Sequence, residues 1–499
     1  MKLAELIQGV TVTKLYHALF GQMAPTQDLN LSRVQYDSRK VATGDCFVAI
    51  RGTGSDGHAF IGQAVAQGAK VIVVERDDAY PDPLCMHDGV CKVVVPDSRK
   101  ALAILAANSY GHPTKDMALV GVTGTNGKTT TSYLVRAILE AAGHRAGLIG
   151  TIQYQAGGIA IPATHTTPES LELQELFAQM KQAGCTAISM EVSSHALDQS
   201  RVYGLDFRVG IFTNLTQDHL DYHHSMEKYF AAKKILFDGL AEHATAVVNA
   251  DDPRHERITE SGKAARIRFG IKNEADIRAT DLNMSMTGTT FSVQETSGTT
   301  KVTTPLIGRF NVSNVLAAYA AGRALGIGTR EILAGIAAVK NVKGRFERIT
   351  APAGWTAVID YAHTPDAMEN CLRTLHDLMP RRNRGRIITV FGAGGDRDRT
   401  KRPLMGRMAA QFSDVIVVTS DNPRTENPER IIDDIMKGIK NHPNVSRDAD
   451  RRSAIEFALG IAERGDAVLI AGKGHEDYQV VGKERSHFSD REVVEEFIA

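Results

Sequence analysis

The sequence predicts an α/β protein of three domains with mostly parallel sheets, and three observations carry that expectation. The chain has 499 residues, too many for one core and enough for roughly three. Short β-branched runs alternate with helical patterns, the mark of parallel sheets. Polar or glycine-rich motifs follow strand after strand, and a parallel sheet gathers such motifs at the carboxyl ends of its strands, where ligands bind.

The bulk properties are those of a globular protein: 43% hydrophobic and 23% charged. Lys+Arg and Asp+Glu are balanced at 58 each, so no net field points to nucleic acid or an anionic membrane. Glu5 and Gln8 interrupt any apolar leader, and no run is apolar enough to span a bilayer. Cys46, Cys85, Cys91, Cys185 and Cys371 are odd in number and lack CxxC spacing. They read as reduced thiols of a cytoplasmic protein, neither a disulfide frame nor a zinc site.

Residues 1–112 read as a small α/β domain. Asp37-Ser-Arg-Lys40 recurs as Asp97-Ser-Arg-Lys100, but the second leads straight into Ala101-Leu-Ala-Ile-Leu. That context makes Asp97 or Ser98 a helix cap and the recurrence a coincidence. Gly52-Thr-Gly-Ser-Asp-Gly57 is a loop, and Pro113 marks the first hinge.

Residues 113–345 carry the most specific signal. Ala118-Leu-Val-Gly-Val-Thr123 reads as a strand and Gly124-Thr-Asn-Gly127 as a loop. Lys128 onward reads as a helix with Leu134, Val135, Ile138 and Leu139 on one face and Gly143 just past its end. Loop N–H groups and the helix's positive end then converge on one spot suited to a polyphosphate. Lys128 adds a cation for the outer phosphates and the Thr129 hydroxyl a ligand for magnesium. The glycine expected five residues before Gly127 is Val122, so this is a shortened phosphate loop. Later strands lead into Glu191-Val-Ser-Ser-His195 and Asn214-Leu-Thr-Gln-Asp-His219.

Residues 346–499 repeat the architecture in Rossmann-like form without a phosphate loop. Their strands lead into Asp360-Tyr-Ala-His-Thr-Pro-Asp366, Gly392-Ala-Gly-Gly-Asp-Arg397, Asp421-Asn-Pro-Arg424 and Gly472-Lys-Gly-His-Glu476. The second of these breaks the dinucleotide-binding spacing.

Taken in order, these motifs, with Gly308-Arg-Phe-Asn311 and Asn314, resemble those of the Mur ligases, which form amide bonds with ATP in building cell-wall peptides. Asp37-Ser-Arg39, His165-Thr-Thr-Pro168, Asp421-Asn-Pro-Arg424 and Gly472–Glu476 resemble the branch that adds the third residue, meso-diaminopimelate, to UDP-MurNAc-L-Ala-D-Glu. The resemblance implies an ATP site of Gly124, Thr125, Asn126, Gly127, Lys128, Thr129, Thr130, Asn311, Asn314 and Arg345. Arg345, at the second hinge, is expected to reach the phosphates on closure. It implies one magnesium held by Thr129 and Glu191 and a second by His219, with a carbamate on Lys233 supplying an oxygen ligand near the second. Pattern alone does not separate Lys233 from Lys234, nor decide whether His219 is a ligand, and His223 and His224 read as solvated. The asparagines also read as caps of the helix near 311.

For the nucleotide sugar, the resemblance implies Tyr36, Ser38, Thr53, Gly54 and Ser55 at the uridine end. It implies Thr166, Thr167, Ser193, Gln199 and Arg201 at the peptide end, where hydroxyls and an arginine fork suit anionic oxygens. For diaminopimelate it implies Arg397, Asp421, Asn422, Pro423, Arg424, Gly472 and Glu476. Pro423 stiffens the turn presenting Arg424, whose guanidinium suits the carboxylate that lysine lacks; the bland alternative pairs Arg424 with Glu426 or Glu429. A lysine-adding relative is the nearest rival. Folylpolyglutamate synthases share the first two domains, and a P-loop switch is the rival of another class. A cytoplasmic monomer without nucleic-acid or membrane partners is expected.

Overall fold

The computed structural model describes residues 1–499 except 20, 21, 27, 28, 53 and 380–384. Thr53 therefore lies outside the described residues. The chain forms two compact units, residues 1–119 with 145–207, and residues 120–144 with 208–499.

In the first unit a five-stranded sheet runs in the order Lys14–Tyr16, Cys91–Val94, Val71–Val74, Cys46–Val48, Val34–Gln35. All neighbours are parallel except the antiparallel edge strand Lys14–Tyr16. Alternation along a strand sends successive side chains to opposite faces. Val71 and Val73 accordingly enter one core with Leu102 and Leu105, while Ile72 and Val74 enter another with Phe47 and Ile61. Asp97 caps the helix Ser98–Ser109, accepting from the N–H groups of Arg99 and Lys100. Asp37 accepts from Arg39 in the same way but opens only the short 3-10 turn Ser38–Lys40. The recurring tetrapeptide is one local cap used twice, with different continuations. The unit also holds the parallel pair Ala146–Ile149 and Ala187–Glu191, with Ala187 opposite Ala146, and the helix Ser170–Gln182.

In the second unit Phe207–Phe212, Thr245–Asn249 and Ala265–Gly270 pair in parallel. The antiparallel strands Ile277–Ser285, Gly288–Glu295 and Gly298–Thr304 follow. A second sheet has the order Glu347–Thr350, Thr356–Asp360, Ala467–Ala471, Ile387–Phe391, Val415–Val418, Val445–Arg447. Only its first pair is antiparallel, so the loops after Asp360, Phe391, Val418 and Ala471 leave from one edge.

The two largest fully buried side chains among the described residues are Arg402 and Arg451. Arg451 faces Asp490 with both groups sealed from solvent, a pair whose one-sided loss costs about 3–5 kcal/mol. Two expectations are corrected. The helix Arg309–Ala324 is preceded by Gly308 at its cap, so Asn311 and Asn314 sit inside its first turns and cap nothing. His223 is buried, tilted against the Tyr229 ring at 5.2 Å; His224 is exposed as expected. All five cysteines are free and buried, and burial pushes the thiols of Cys85 and Cys91 up to about 11 and about 12. Among the described residues, no helix is long and apolar enough to cross a membrane.

Candidate functional site

The phosphate loop joins the strand Ala118–Thr123 to the helix Lys128–Ala141. Its glycines are required by close approach and by backbone shape together. Gly127 has φ +86°, and a Cβ there would collide with Asn314 Oδ1; one on Gly124 (φ +149°) would collide with Thr213 Oγ1. Neighbouring segments hold the loop: Asn126 N–H donates to Asn214 Oδ1 at 2.9 Å, and Thr213 Oγ1 donates to the Asn126 carbonyl at 2.6 Å. Lys128 Nζ donates to the carbonyls of Gly124 and Thr125 at 2.9 and 2.8 Å. Arg345 reaches the same helix start, donating to Thr129 Oγ1 at 2.9 Å while stacking over Tyr361. Arg345 and Asn311 also line a cavity of about 130 Å³, walled further by Ile307, Lys340, Phe346 and Arg348. Asn314 instead lies against Gly127 of the loop, while its Nδ2 donates to Asn311 Oδ1 at 3.1 Å.

Beneath this loop the structure separates two adjacent lysines. Lys234 reaches outward to Asp238 and Ser261. Lys233 is 1% exposed, donates to the Gly124 carbonyl at 2.9 Å and lies 4.4 Å over the Tyr229 ring. Burial drives its pKa well below the ordinary lysine range; the Lys128 charge acts the same way and Asp218 opposes both. His219, with φ +53°, directs Nε2 to within 3.4 Å of Asp218, which also faces His363 at 3.5 Å and Lys401 at 3.7 Å. Burial alone would raise the Asp218 pKa, but the His363 hydrogen bond and the charges of His219, His363 and Lys401 hold it well below the usual carboxylate range.

In the first unit a second cluster surrounds Glu191, which is fully buried at the end of its strand. Glu191 accepts from Thr151 N–H at 2.8 Å and Thr151 Oγ1 at 3.1 Å, and Thr151 meets Thr166 at 3.1 Å. Thr167 Oγ1 donates to the Glu191 carbonyl, Arg201 donates to the Thr167 carbonyl and to Gln199, and Ser193 caps the helix Ser194–Asp198. A charged chain runs on from Arg201 through Glu169 to Arg99, which grips the Arg51 carbonyl at the head of the glycine loop. Tyr36 donates to Glu172 at 2.7 Å and Ser38 to Gln63 at 3.0 Å. Ser55 closes its loop through its carbonyl, which accepts from Gly52 N–H; beside it, Gly54 has open space where a Cβ would stand.

At the far sheet edge Arg424 has φ +51°, an uncommon conformation for arginine that marks a constrained turn. Its N–H donates to the Val480 carbonyl, and its Nη1 donates to the Gly395 carbonyl at 2.8 Å. The alternative partners are engaged elsewhere: Glu426 with Arg399 and Arg402, and Glu429 with Arg447. Among the described residues no carboxylate pairs with Arg424. Asn422 Nδ2 donates to Glu476 at 2.8 Å, the buried Lys473 lies between Asn422 and Glu476, and Gly472 abuts Asp421. Arg397 is exposed, its Nη1 donating to the Asp396 carbonyl.

Three family descriptions match the chain in order: "Mur ligase family, catalytic domain" over residues 30–110, "Mur ligase middle domain" over 122–322, and "Mur ligase, glutamate ligase domain" over 344–474. A protein of Parabacteroides distasonis named UDP-N-acetylmuramoyl-L-alanyl-D-glutamate–2,6-diaminopimelate ligase is 42% identical, covering 100% of this chain and 99% of its own. The chain belongs to the Mur ligase family. A Geobacillus thermodenitrificans protein of the same name is 46% identical over 92% of this Mur ligase and 93% of its own length. A solved structure of a ligase so named aligns with TM-score 0.67 and 34% identity over 95% and 96% of the two chains. A Mycobacterium tuberculosis folylpolyglutamate synthase aligns with TM-score 0.62 at 19% identity, over 75% of this chain and 92% of its own, which is a likeness of fold.

The fold of this Mur ligase is the three-domain α/β architecture expected. It gathers the expected residues into three groups: the phosphate loop with Asn311, Asn314, Arg345, Lys233 and His219; the Glu191 cluster; and the loops around Arg424. Sequence inspection missed Asp218, Lys401, Lys473, Arg402 and Arg451. Asp218 and Lys473 lie inside quoted motifs, so position could have flagged them; nothing local to Arg402 or Arg451 announces that they are buried.

Proposed function

We propose that this Mur ligase joins meso-2,6-diaminopimelate to UDP-MurNAc-L-Ala-D-Glu with conversion of ATP to ADP and phosphate. The supporting observation is Arg424: a guanidinium held on carbonyls, at a strand end, with no carboxylate partner among the described residues. A carboxylate oxygen of the glutamyl residue attacks the γ-phosphorus of ATP and ADP leaves. The amine of diaminopimelate then attacks the acyl carbon, phosphate departs, and the amine's proton goes to solvent. The chain supplies no covalent nucleophile; it orients reactants and neutralises charge. Lys128 and the loop N–H groups cradle the phosphates, Arg345 adds a cation at the same helix start, and the cavity of Asn311 and Phe346 takes the adenine. Gly124, Thr125, Asn126 and Gly127 in the loop, with Thr130 in the helix, complete that cradle.

Magnesium fits the donor set, since hydroxyl, carboxylate and carbamate oxygens suit a hard cation, and when bound it supplies charge neutralisation at the phosphates. Thr129 would ligate one ion, and His219 with the Lys233 carbamate a second; Glu191 is the further carboxylate ligand that the family resemblance implies. Carbamate formation needs the amine in its neutral form, which burial of Lys233 favours: the neutral nitrogen bonds to the carbon of carbon dioxide and releases one proton, leaving a carbamate anion. Tyr36, Ser38 and Ser55 would take the uridine end of the nucleotide sugar, and Thr166, Thr167, Ser193, Gln199 and Arg201 the peptide end. Arg424 would pair the distal carboxylate of diaminopimelate and Glu476 its ammonium, with Arg397 beside the carboxylates. We keep 1–112, 113–345 and 346–499 as the functional divisions. A cytoplasmic monomer fits the free thiols and the nucleotide substrates.

A phosphate-release assay with a panel of amines tests the proposal. Diaminopimelate should be turned over and lysine should be a very poor substrate, because an arginine built for a carboxylate is left unpaired by an analogue lacking it. Arg424→Ala should lose most of that preference. Comparable kcat/KM for both amines in the native enzyme would overturn it.

A further inference from the structure

The amino-acid loops rest on two arginines sealed from solvent, Arg402 and Arg451. Arg402 Nη2 donates to the Gly394 carbonyl at 3.2 Å and to Glu426 at 2.8 Å, while Nη1 donates to Glu426 and Asp434, both at 3.1 Å. Gly394 belongs to the loop after Phe391; Glu426 stands two residues beyond Arg424. Arg451 makes the matching link between the loops after Val418 and Ala471, whose strands lie on either side of Ile387–Phe391. Its Nη1 donates to the Ser420 carbonyl at 3.1 Å and its Nη2 to the Ala471 carbonyl at 3.0 Å, with Asp490 balancing its charge at 2.7 Å. Ser420 immediately precedes Asp421, and Ala471 immediately precedes Gly472. One arginine thus ties the Gly392 loop to the Arg424 loop, and the other ties the Arg424 loop to the Glu476 loop.

We propose that Arg402 and Arg451 are positioning residues for amino-acid selectivity, fixing the separation between Arg424 and Glu476. This rests on the function proposed above. An amino acid read by a carboxylate at one point and an ammonium at another needs those partners at a set distance. Neither Arg424 nor Glu476 lies within a helix or a strand: Glu476 is carried by a loop, and Arg424 by a turn with a single backbone bridge to Val481. A guanidinium is the side chain that can bridge two carbonyls and a carboxylate at once, because its donors are fixed in a plane. Apolar side chains of like volume would fill the same space without the desolvation penalty of buried charge, but they would leave the carbonyls of Gly394, Ser420 and Ala471 untethered.

Steady-state kinetics on Arg402→Lys and Arg451→Lys, with diaminopimelate and lysine as alternative amines, test this. Lysine keeps the charge but cannot bridge. The KM for diaminopimelate should rise about ten- to a hundred-fold and its preference over lysine should fall, while the KM values for ATP and the nucleotide-sugar peptide stay within about two-fold. Variants that lose thermal stability or kcat but keep the diaminopimelate KM and the preference would overturn the proposal, since that is what a purely structural role predicts. Should Arg451→Lys not fold, the double variant Arg451→Met/Asp490→Leu removes both charges together, and the same shift in KM and preference is expected of it. Native enzyme that fails to use diaminopimelate would sink the proposed function itself; native enzyme that prefers it, with variants equally selective, would sink only the clamps.

Discussion

The phosphate loop and the amino-acid loops both leave the carboxyl ends of parallel strands, yet they are held in opposite ways. Around Gly124–Gly127 the chain is positioned by what is absent: glycines let backbone meet Thr213 and Asn314, and the cation Lys128 rests on its own loop's carbonyls. Around Arg424 the chain is positioned by what is present, with Arg402, Arg451 and Lys473 all buried and bonded across loops. In the first region the functional charge is separable from the fold. In the second, charge that holds the loops also holds the domain.

The strongest test of that contrast is Lys128→Ala. Alanine is favourable at a helix start, so turnover should fall about a thousand-fold or more while the thermal unfolding midpoint barely moves. Turnover near the native rate would show that the loop is not the phosphate site, and a collapse in stability would erase the contrast. Next in size is Lys233→Ala, expected to lose about a hundred-fold in activity and to recover part of it with added formate or acetate. Lys234→Ala should stay close to native, because its partners Asp238 and Ser261 lie on the outside. Equal losses at the two positions would remove the distinction that burial draws between them.

The smallest effect concerns Glu426 and is one of stability. The Arg402 hydrogen bonds outweigh the opposing effect of burial, and with Asp396 N–H and Arg399 they lower its pKa to about 2. A depressed carboxylate pKa contributes stability that is complete above the ordinary value and is lost as pH falls through the depressed one. Glu426→Gln should therefore lower the unfolding midpoint most above about pH 5, with the gap to the native protein closing between about pH 4.5 and 2. A gap that stays constant over this range would mean that the Arg402 pairing gives the loops no support.

The same contrast explains what can be read without the structure. The phosphate loop is legible because strand, glycines, lysine and helix lie within residues 118–142, although Thr213, Asn214 and Asn314, which hold it, come from distant segments. Arg424 is legible because Pro423 and the motif around it are contiguous. Lys233 is legible only as one of a pair: adjacent helix positions point about 100° apart, but both lysines lie between Phe230 and Phe237, and which one turns inward is decided by the packing partner. The caps expected of Asn311 and Asn314 fail because Gly308 starts the helix three residues earlier than asparagine chemistry suggests. His223 reads as solvated because nothing in its neighbourhood reveals the Tyr229 ring. Arg402 and Arg451 are illegible for the same reason: a long cationic side chain at a helix start is usually solvated, and only the sheet edge above them shows otherwise.

The five cysteines offer a different kind of use. Each is buried, and raised thiol pKa values at Cys85 and Cys91 leave almost no thiolate at neutral pH to react. Thiol reagents should therefore ignore the folded molecule and register its opening, so the rate of their uptake becomes a clock for unfolding of the regions that hold each cysteine. A single cysteine placed on the surface would then accept a fluorophore by itself, and the natural residues could be left as they are.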